Sequence, residues 1–477
     1  MSRDLAYLTA TDLLAHYQAG RLSPVEVTEC LLTRAAQLQS TINATTLIDG
    51  DGALAQARAA EARYRSGTAR ALEGVPVAIK EETAVAGWPR TIGSHLHDEQ
   101  PTSHHPIVDR LVEAGAILHV QTTVPEFCVI GQTLSSRYGV SRNPWNRTVT
   151  PGGSSGGSGA ALAAGLAPLA TGSDMGGSTR IPAALNGVYG YKPPFGRLAS
   201  TPGEELFAFA VEGPLARTLD DLRLMQNILQ GPHPASYSGM PAAPLPNDPP
   251  GLRGLKLALA LPKDGLICPD TERNLRQQVA ALADAGAVVE EVTLDWNVGR
   301  VGDVLIEAIF GLYFAEYLEA FSDEARAQAT PYLRYLMERY CGRRNAIMPA
   351  AVLASAMHQE MVAKLWSRGI TALLCPTVLC ADIPADLQIS QMRQWPIAGG
   401  FVDSYLGWVW TTPFNLLSRT PSLAVPTGRA ANGVPTSMQI VGAPFADADV
   451  FRVGHHYAQL GTVDLYRSVF PSLPEVE

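Results

Sequence analysis

Charge is scarce in this chain: Asp, Glu, Lys and Arg make up 17% of its 477 residues, against roughly 25% in an average soluble domain. What charge there is leans acidic, with 36 basic against 45 acidic side chains and a formal net charge of −9. A lone nucleic-acid binder is thereby excluded, because it would have to overcome phosphate repulsion. Cysteine is rare as well, and six in the whole chain with no CxxC pair exclude a disulfide scaffold. No apolar run reaches the ~20 residues that span a bilayer. The longest uncharged stretch, Thr148 to Ser173, is rich in Gly and Ser and only partly apolar. The first residues, MSRDLAYLTATDLLAHYQAG, lack the apolar core of a signal peptide. Internal repeats, charge blocks and long linkers are missing too. A cytoplasmic protein with no membrane and no nucleic-acid partner is the expectation.

What is present can build a large core: apolar residues reach 46%, and 43 Gly with 35 Pro point to many tight turns. Ser23-Pro24-Val25-Glu26 reads as a capping box with Pro at the first helical position, and Ala53 to Ala69 as a second helix. Val75 to Ile79 suits a buried strand ending at Lys80, Ile107 to Glu113 a helix, and Ala116 to Val120 the next strand. The alternation resumes at Leu255 to Leu261, Asp270 to Ala285 and Val288 to Leu294. Such a pattern predicts a mainly parallel or mixed sheet with helices on its faces. Residues 300–400 read as a helical insertion rich in aromatics, with short strands returning near Pro421 to Pro426 and Met438 to Val441.

Two Gly- and Ser-rich stretches could carry chemistry. Pro151 to Gly159 (PGGSSGGSG) reads as a flexible loop, a phosphate cradle or a GxSxG nucleophile elbow around Ser155. The cradle lacks a following Lys-Ser or Lys-Thr, and the elbow lacks a good preceding strand. In Ser173 to Pro182 (SDMGGSTRIP), two Gly before a Ser free consecutive backbone N–H groups to point one way. Asp174 and Arg180 flank that turn and could pair across it. His95, His97, His104 and His105, with Asp98 and Glu99, could suggest a metal site; their Pro-flanked run reads more simply as a solvated turn. Cys375 and Cys380 sit in an apolar run and are expected as buried, unpaired thiols.

Together these segments resemble the amidase signature family. The resemblance runs through Gly74 to Lys80, Gly115-Ala116-Ile117, Glu126-Phe127 and Asn143 to Asn146. It continues through Pro151 to Gly159, Ser173 to Pro182, Gly190 to Pro193, Gly196-Arg197 and Gly213 to Arg217. Near the C-terminus Pro413-Phe414-Asn415, Pro421 to Pro426 and Gln439 to Gly442 fit the same pattern. It implies an α/β amidase-signature fold, a large twisted mixed β-sheet flanked by helices on both faces. One domain over 1–477 is expected: N-terminal helices 1–70, a signature core 71–225, the helical substrate-pocket insertion at about 300–400, and a return to the core over 405–477.

Carried over position by position, the resemblance makes Ser178 the nucleophile, Ser154 the bridging serine on a cis peptide with Gly153, and Lys80 the terminal base. A Lys amine serves as base only when neutral, and burial at the end of an apolar strand favours the neutral form. Backbone N–H groups of Met175, Gly176, Gly177 and Ser178 would form the oxyanion hole, with Ser155, Asp174 and Arg180 in support. Phe401, Tyr405 and Trp408 are the first candidates for the substrate pocket. Neither a metal nor an organic cofactor is called for. The activity implied is cleavage of a small-molecule amide, ester or carbamate by a monomer or homodimer. An ammonia-releasing amidotransferase subunit with partner chains, or an inactive binding relative, is the alternative. Departures from the family pattern are Glu81 in place of Asp, Gln121-Thr122-Thr123, Thr179 and Pro194.

Overall fold

Short apolar runs bounded by Gly and Pro become strands, and their sheet decides where every candidate residue lies. The computed structural model describes residues 3–341 and 346–474. The strands of its central sheet are β1 (Thr45–Ile48), β2 (Pro76–Lys80), β3 (Ile117–Thr122), β4 (Leu169–Asp174), β5 (Tyr189–Lys192) and β6 (Val211–Ala216). They continue with β7 (Lys256–Leu259), β8 (Val288–Glu291), β9 (Ala372–Pro376), β10 (Ser422–Arg429) and β11 (Pro435–Gly442). All eleven form one sheet in the order β1-β3-β2-β4-β6-β5-β10-β11-β9-β7-β8. The β3-β2-β4 and β9-β7-β8 pairings are parallel and the remainder antiparallel, so the sheet is mixed.

Strand parity shows that both faces are covered. Along β9, Leu373 and Cys375 enter one apolar cluster while Ala372 and Leu374 enter another. Because neighbouring side chains of a strand point to opposite faces, each face must carry its own helical layer. Helix Pro269–Asp284 covers one face through Leu275, Val279 and Leu282, and helix Val298–Ile309 joins the opposite cluster through Val301, Leu305 and Ile309. Helix Pro24–Ile42 starts where expected, with Ser23 Oγ accepting from Val25 N–H and Glu26 accepting from Ser23 N–H.

The Gly/Ser/Ala-rich stretch is helical from Gly156 to Ala163, earlier than the expected Ala160, and every residue in it is buried. Small side chains are required there: a Cβ on Gly157 would lie 2.3 Å from the backbone nitrogen of Thr123. The helical region differs from its expected bounds. It comprises Val298–Ile309, a π-helical turn Phe310–Phe314, and helices Ala315–Glu319, Asp323–Gln328, Pro331–Tyr340 and Ile347–Lys364. Residues 372–376 already belong to the central sheet, and Gln394–Ile397 pairs with Gly400–Asp403 in a hairpin. A short fully buried strand carries no alternation to separate it from helix, which is why its apolar run read as part of the insertion.

Candidate active site

Lys80 ends β2 with its side chain wholly buried, 0% exposed. Its Nζ meets three oxygens: Ser173 Oγ at 2.6 Å, Glu82 Oε2 at 2.7 Å and Ser154 Oγ at 2.8 Å. Ser173 also donates to Glu82 Oε2 at 2.6 Å. These distances match the three donors of an ammonium group. Against the expectation that burial favours the neutral amine, these contacts favour the ammonium. Desolvation pulls its pKa down, but negative charge at Cys128, Glu82 and Glu212 outweighs it, for a net upward shift. Glu82 moves in the complementary direction, its pKa lowered against burial by Lys80 and Ser173.

Ser154 stands in the loop before helix Gly156–Ala163, and the Gly153–Ser154 peptide is cis, as the resemblance implies. The loop fits only glycine at 153, where a Cβ would lie 2.4 Å from the Gln132 carbonyl oxygen. Ser155 N–H donates to the Ser178 carbonyl at 3.2 Å, which ties this loop to the second Gly-rich turn. The Ser155 hydroxyl bridges to the backbone of Ser173, accepting from its N–H at 3.3 Å. Ser154 is buried, whereas Ser178 is half-buried and faces the same pocket.

Asp174 shapes the turn over residues 174–180. Its carboxylate pairs with Arg180 at 2.8 Å with both side chains 0% exposed, and it accepts from Gly177 N–H at 2.9 Å. Arg180 also donates to Gln439 at 2.6 Å and Asn415 at 2.7 Å, so the buried pair is hydrogen-bonded on several sides. Burial raises the Asp174 pKa, but Arg180 and Asn415 lower it more, giving a net downward shift. One oxyanion expectation is corrected here: the Gly177 N–H is committed to Asp174. The N–H groups of Met175, Gly176 and Ser178 form no hydrogen bond among the described residues.

The pocket around these groups encloses about 1050 Å³, part of it open to solvent. One wall is apolar, with Phe127, Ile309, Phe310, Phe314, Tyr405 and Leu406; the other carries Glu82, Arg90, Glu204 and Glu212. Of the three pocket candidates only Tyr405 lines it. Phe401 is 63% exposed on the 400–403 hairpin, and Trp408 is 0% exposed, packed where a Cβ on Gly131 would touch its ring at 2.9 Å. An aromatic residue in a turn-rich segment serves pocket, surface and core equally well in sequence, and only packing separates them.

The histidine run is also corrected in part. His105 is buried, caps helix Pro106–Glu113 and bonds Glu204 at 3.1 Å, while His104 accepts from Ala86 N–H. Cys375 and Cys380 are free, buried thiols, as expected. Glu82, Ser173, Cys128, Glu204 and Glu212 were missed. Glu82 reaches Lys80 through a turn that follows β2, closed by Thr83 N–H donating to the Lys80 carbonyl at 2.9 Å. For the others no local pattern marks the meeting.

A half-buried hydroxyl, a buried hydroxyl against an amine and free N–H groups in one pocket make a set suited to acyl transfer. The comparisons agree. The family model described as Amidase matches residues 26–451. A glutamyl-tRNA(Gln) amidotransferase subunit of Chloroflexus aurantiacus is 32% identical, over 96% of this chain and 97% of that protein. An acylamidase of Rhodococcus erythropolis is 31% identical, over 95% of this chain and 96% of its own length. Among solved structures, a bacterial aryl acylamidase of the amidase signature family superposes with a TM-score of 0.85, at 26% identity, covering 96% of both chains. The chain belongs to the amidase signature family.

Proposed function

We propose that this protein hydrolyses the C–N bond of small carboxylic amides through an acyl-enzyme on Ser178, with Ser154 as the bridging hydroxyl and Lys80 as the base. The observation that carries this reading is the 2.8 Å contact between Lys80 Nζ and Ser154 Oγ, inside a pocket that Ser178 also lines. In the reactive form Lys80 is neutral. Its two N–H groups stay on Ser173 and Glu82, and its lone pair faces Ser154. The Ser154 proton then passes to Lys80 while Ser154 takes the proton of Ser178, whose oxygen attacks the carbonyl carbon. The N–H groups of Met175, Gly176 and Ser178 receive the oxyanion, where loss of one donor typically costs about 100-fold or more. Ser154 returns a proton to the leaving nitrogen, and water activated by the same relay releases the acid. Esters and carbamates present the same electrophile and fit the same cycle.

The purified chain should hydrolyse a chromogenic anilide, and a fluorophosphonate probe should label Ser178. Labelling of another side chain, or silence on every acyl compound, would sink the reading. The likeness to the tRNA-dependent amidotransferase subunit favours a second reading, ammonia release for a partner-bound substrate. Glutaminase activity that emerges only when partner chains are added would select it.

A further inference from the structure

Opposite Ser173 on the neighbouring strand, in register, stands Glu212. It is 9% exposed and lines the pocket, and its Oε2 has no hydrogen-bond partner among the described residues. An unpaired buried carboxyl oxygen is costly, so a group left in this state beside a cavity marks a place where a donor arrives. His105, Glu204 and Glu212 come close enough together to suggest a metal ion. The histidine argues otherwise. Its Nδ1 accepts from Ile107 N–H at 3.3 Å, so the ring hydrogen sits on Nε2 and is turned toward Glu204, leaving no lone pair to ligate.

The groups around Glu212 are His105 at the start of helix Pro106–Glu113, Glu204 from the 204–206 turn, Lys80 on β2, Glu82 just beyond it, and Arg90 in the same pocket lining, which pairs with Glu99 at 2.7 Å. Lys80 is matched by Glu82, and His105 by Glu204. Glu212 only shares His105, which lies 3.9 Å from its Oε1 against 3.1 Å from Glu204, and its Oε2 is left without a partner among the described residues. Burial first, then Glu204 and Glu82, push its pKa up to about 8 against the pull of His105 and Lys80. A cation beside it would reverse that crowding and ionise the carboxyl, the proton leaving to solvent. Because Glu212 neighbours Ser173, Lys80 and the Ser154 relay that serves the leaving nitrogen, the cation belongs to the amine half of the substrate.

We infer that Glu212 Oε2 seats an alkylammonium group carried by the amine half of the substrate, so that monoacylated diamines are favoured over monoacylated simple amines. This rests on the amidase reading above. The test compares N-benzoyl-α,ω-diaminoalkanes of two to six carbons with N-benzoyl-n-alkylamines of matched length at pH 8.5. At least one diamine length should show a kcat/KM advantage of about 10-fold, carried mostly by KM. That ratio should shrink at pH 6, where Glu212 is protonated, and fall toward one in Glu212→Gln whatever the absolute rates. Ratios near one at every length, or a preference that Glu212→Gln retains, would overturn the inference while leaving amide hydrolysis intact. Should Glu212→Gln fail to fold, Glu212→Asp retracts the carboxylate by one methylene, and an undiminished preference there overturns it equally. If neither series nor the chromogenic anilide nor any other acyl compound is cleaved, the amidase reading fails instead. Calorimetric titration with n-butylammonium chloride then still decides the seat: binding that n-butanol does not reproduce supports it, and no binding refutes it.

Discussion

At the ε-amino group of Lys80, burial and ion pairing pull in opposite directions. Burial favours the neutral amine, but Glu82 at 2.7 Å favours the ammonium, and with Cys128 and Glu212 the net pKa shift is upward. The neutral base therefore forms only as pH climbs, and kcat/KM should rise along an alkaline limb. Removing the anion in Glu82→Gln lowers the lysine pKa and should move that limb to lower pH. A limb that stays put, measured on the same anilide, would separate Glu82 from the base. Lys80→Ala should abolish amide cleavage, since it removes the amine whose Nζ lies 2.8 Å from Ser154 Oγ. Glu212 makes a prediction of a different kind. Its folded pKa of about 8 lies above the ordinary carboxylate value, so the folded state keeps a proton that the unfolded chain has lost. The group costs stability as pH rises between those values. Glu212→Gln should gain in Tm relative to the parent when pH is raised from 5 to 8.5. These residues also show what sequence could convey. The contact of Ser154 with Lys80 was legible because motif order carries both, whereas the surroundings of Glu212 were not, because Lys80, Ser173 and His105 lie far from it along the chain.

The turn at 174–180 joins a strand to a helix around a buried ion pair. Arg180→Ala would leave the Asp174 charge uncompensated at 0% exposure, which typically costs about 3–5 kcal/mol. Chemical denaturation should show that loss. Gly177 holds φ at +124°, and a Cβ there would lie 2.1 Å from Thr411 Oγ1, so Gly177→Ala should disrupt the turn and abolish labelling of Ser178. On the 400–410 segment two aromatics part company. Trp408→Ala opens a cavity in the core and should cost about 3–5 kcal/mol. Phe401→Ala, exposed on its hairpin, should stay within about 0.5 kcal/mol of the parent and leave KM unchanged. Helix and strand positions over β2, Pro106–Glu113 and Pro269–Asp284 were readable within a residue or two, because capping residues and apolar periods are local. The end of the helical region at Lys364, ahead of strand β9, was not, because a five-residue buried strand has no period of its own.

Across the whole molecule, the sheet supplies the reactive groups and the helical segment supplies the apolar wall. Lys80, Ser173 and Glu212 stand on three adjacent strands, β2, β4 and β6, while Ile309, Phe310 and Phe314 reach the pocket from the other side. Phe310→Ala should accordingly widen the acyl range, shifting the optimum toward longer acyl anilides with Ser178 labelling retained. No helix among the described residues is long and apolar enough to cross a membrane. The order of motifs along the chain by itself determined the family and the mixed sheet, and it singled out the three side chains proposed to react, since each is written in short runs of adjacent residues. Tertiary structure alone decided the anionic surroundings of Lys80, the commitment of the Gly177 N–H, the choice of Tyr405 over Phe401 and Trp408, and the unpaired Oε2 of Glu212. Each of these depends on distances between segments far apart in the chain, and such distances exist only once the sheet has closed.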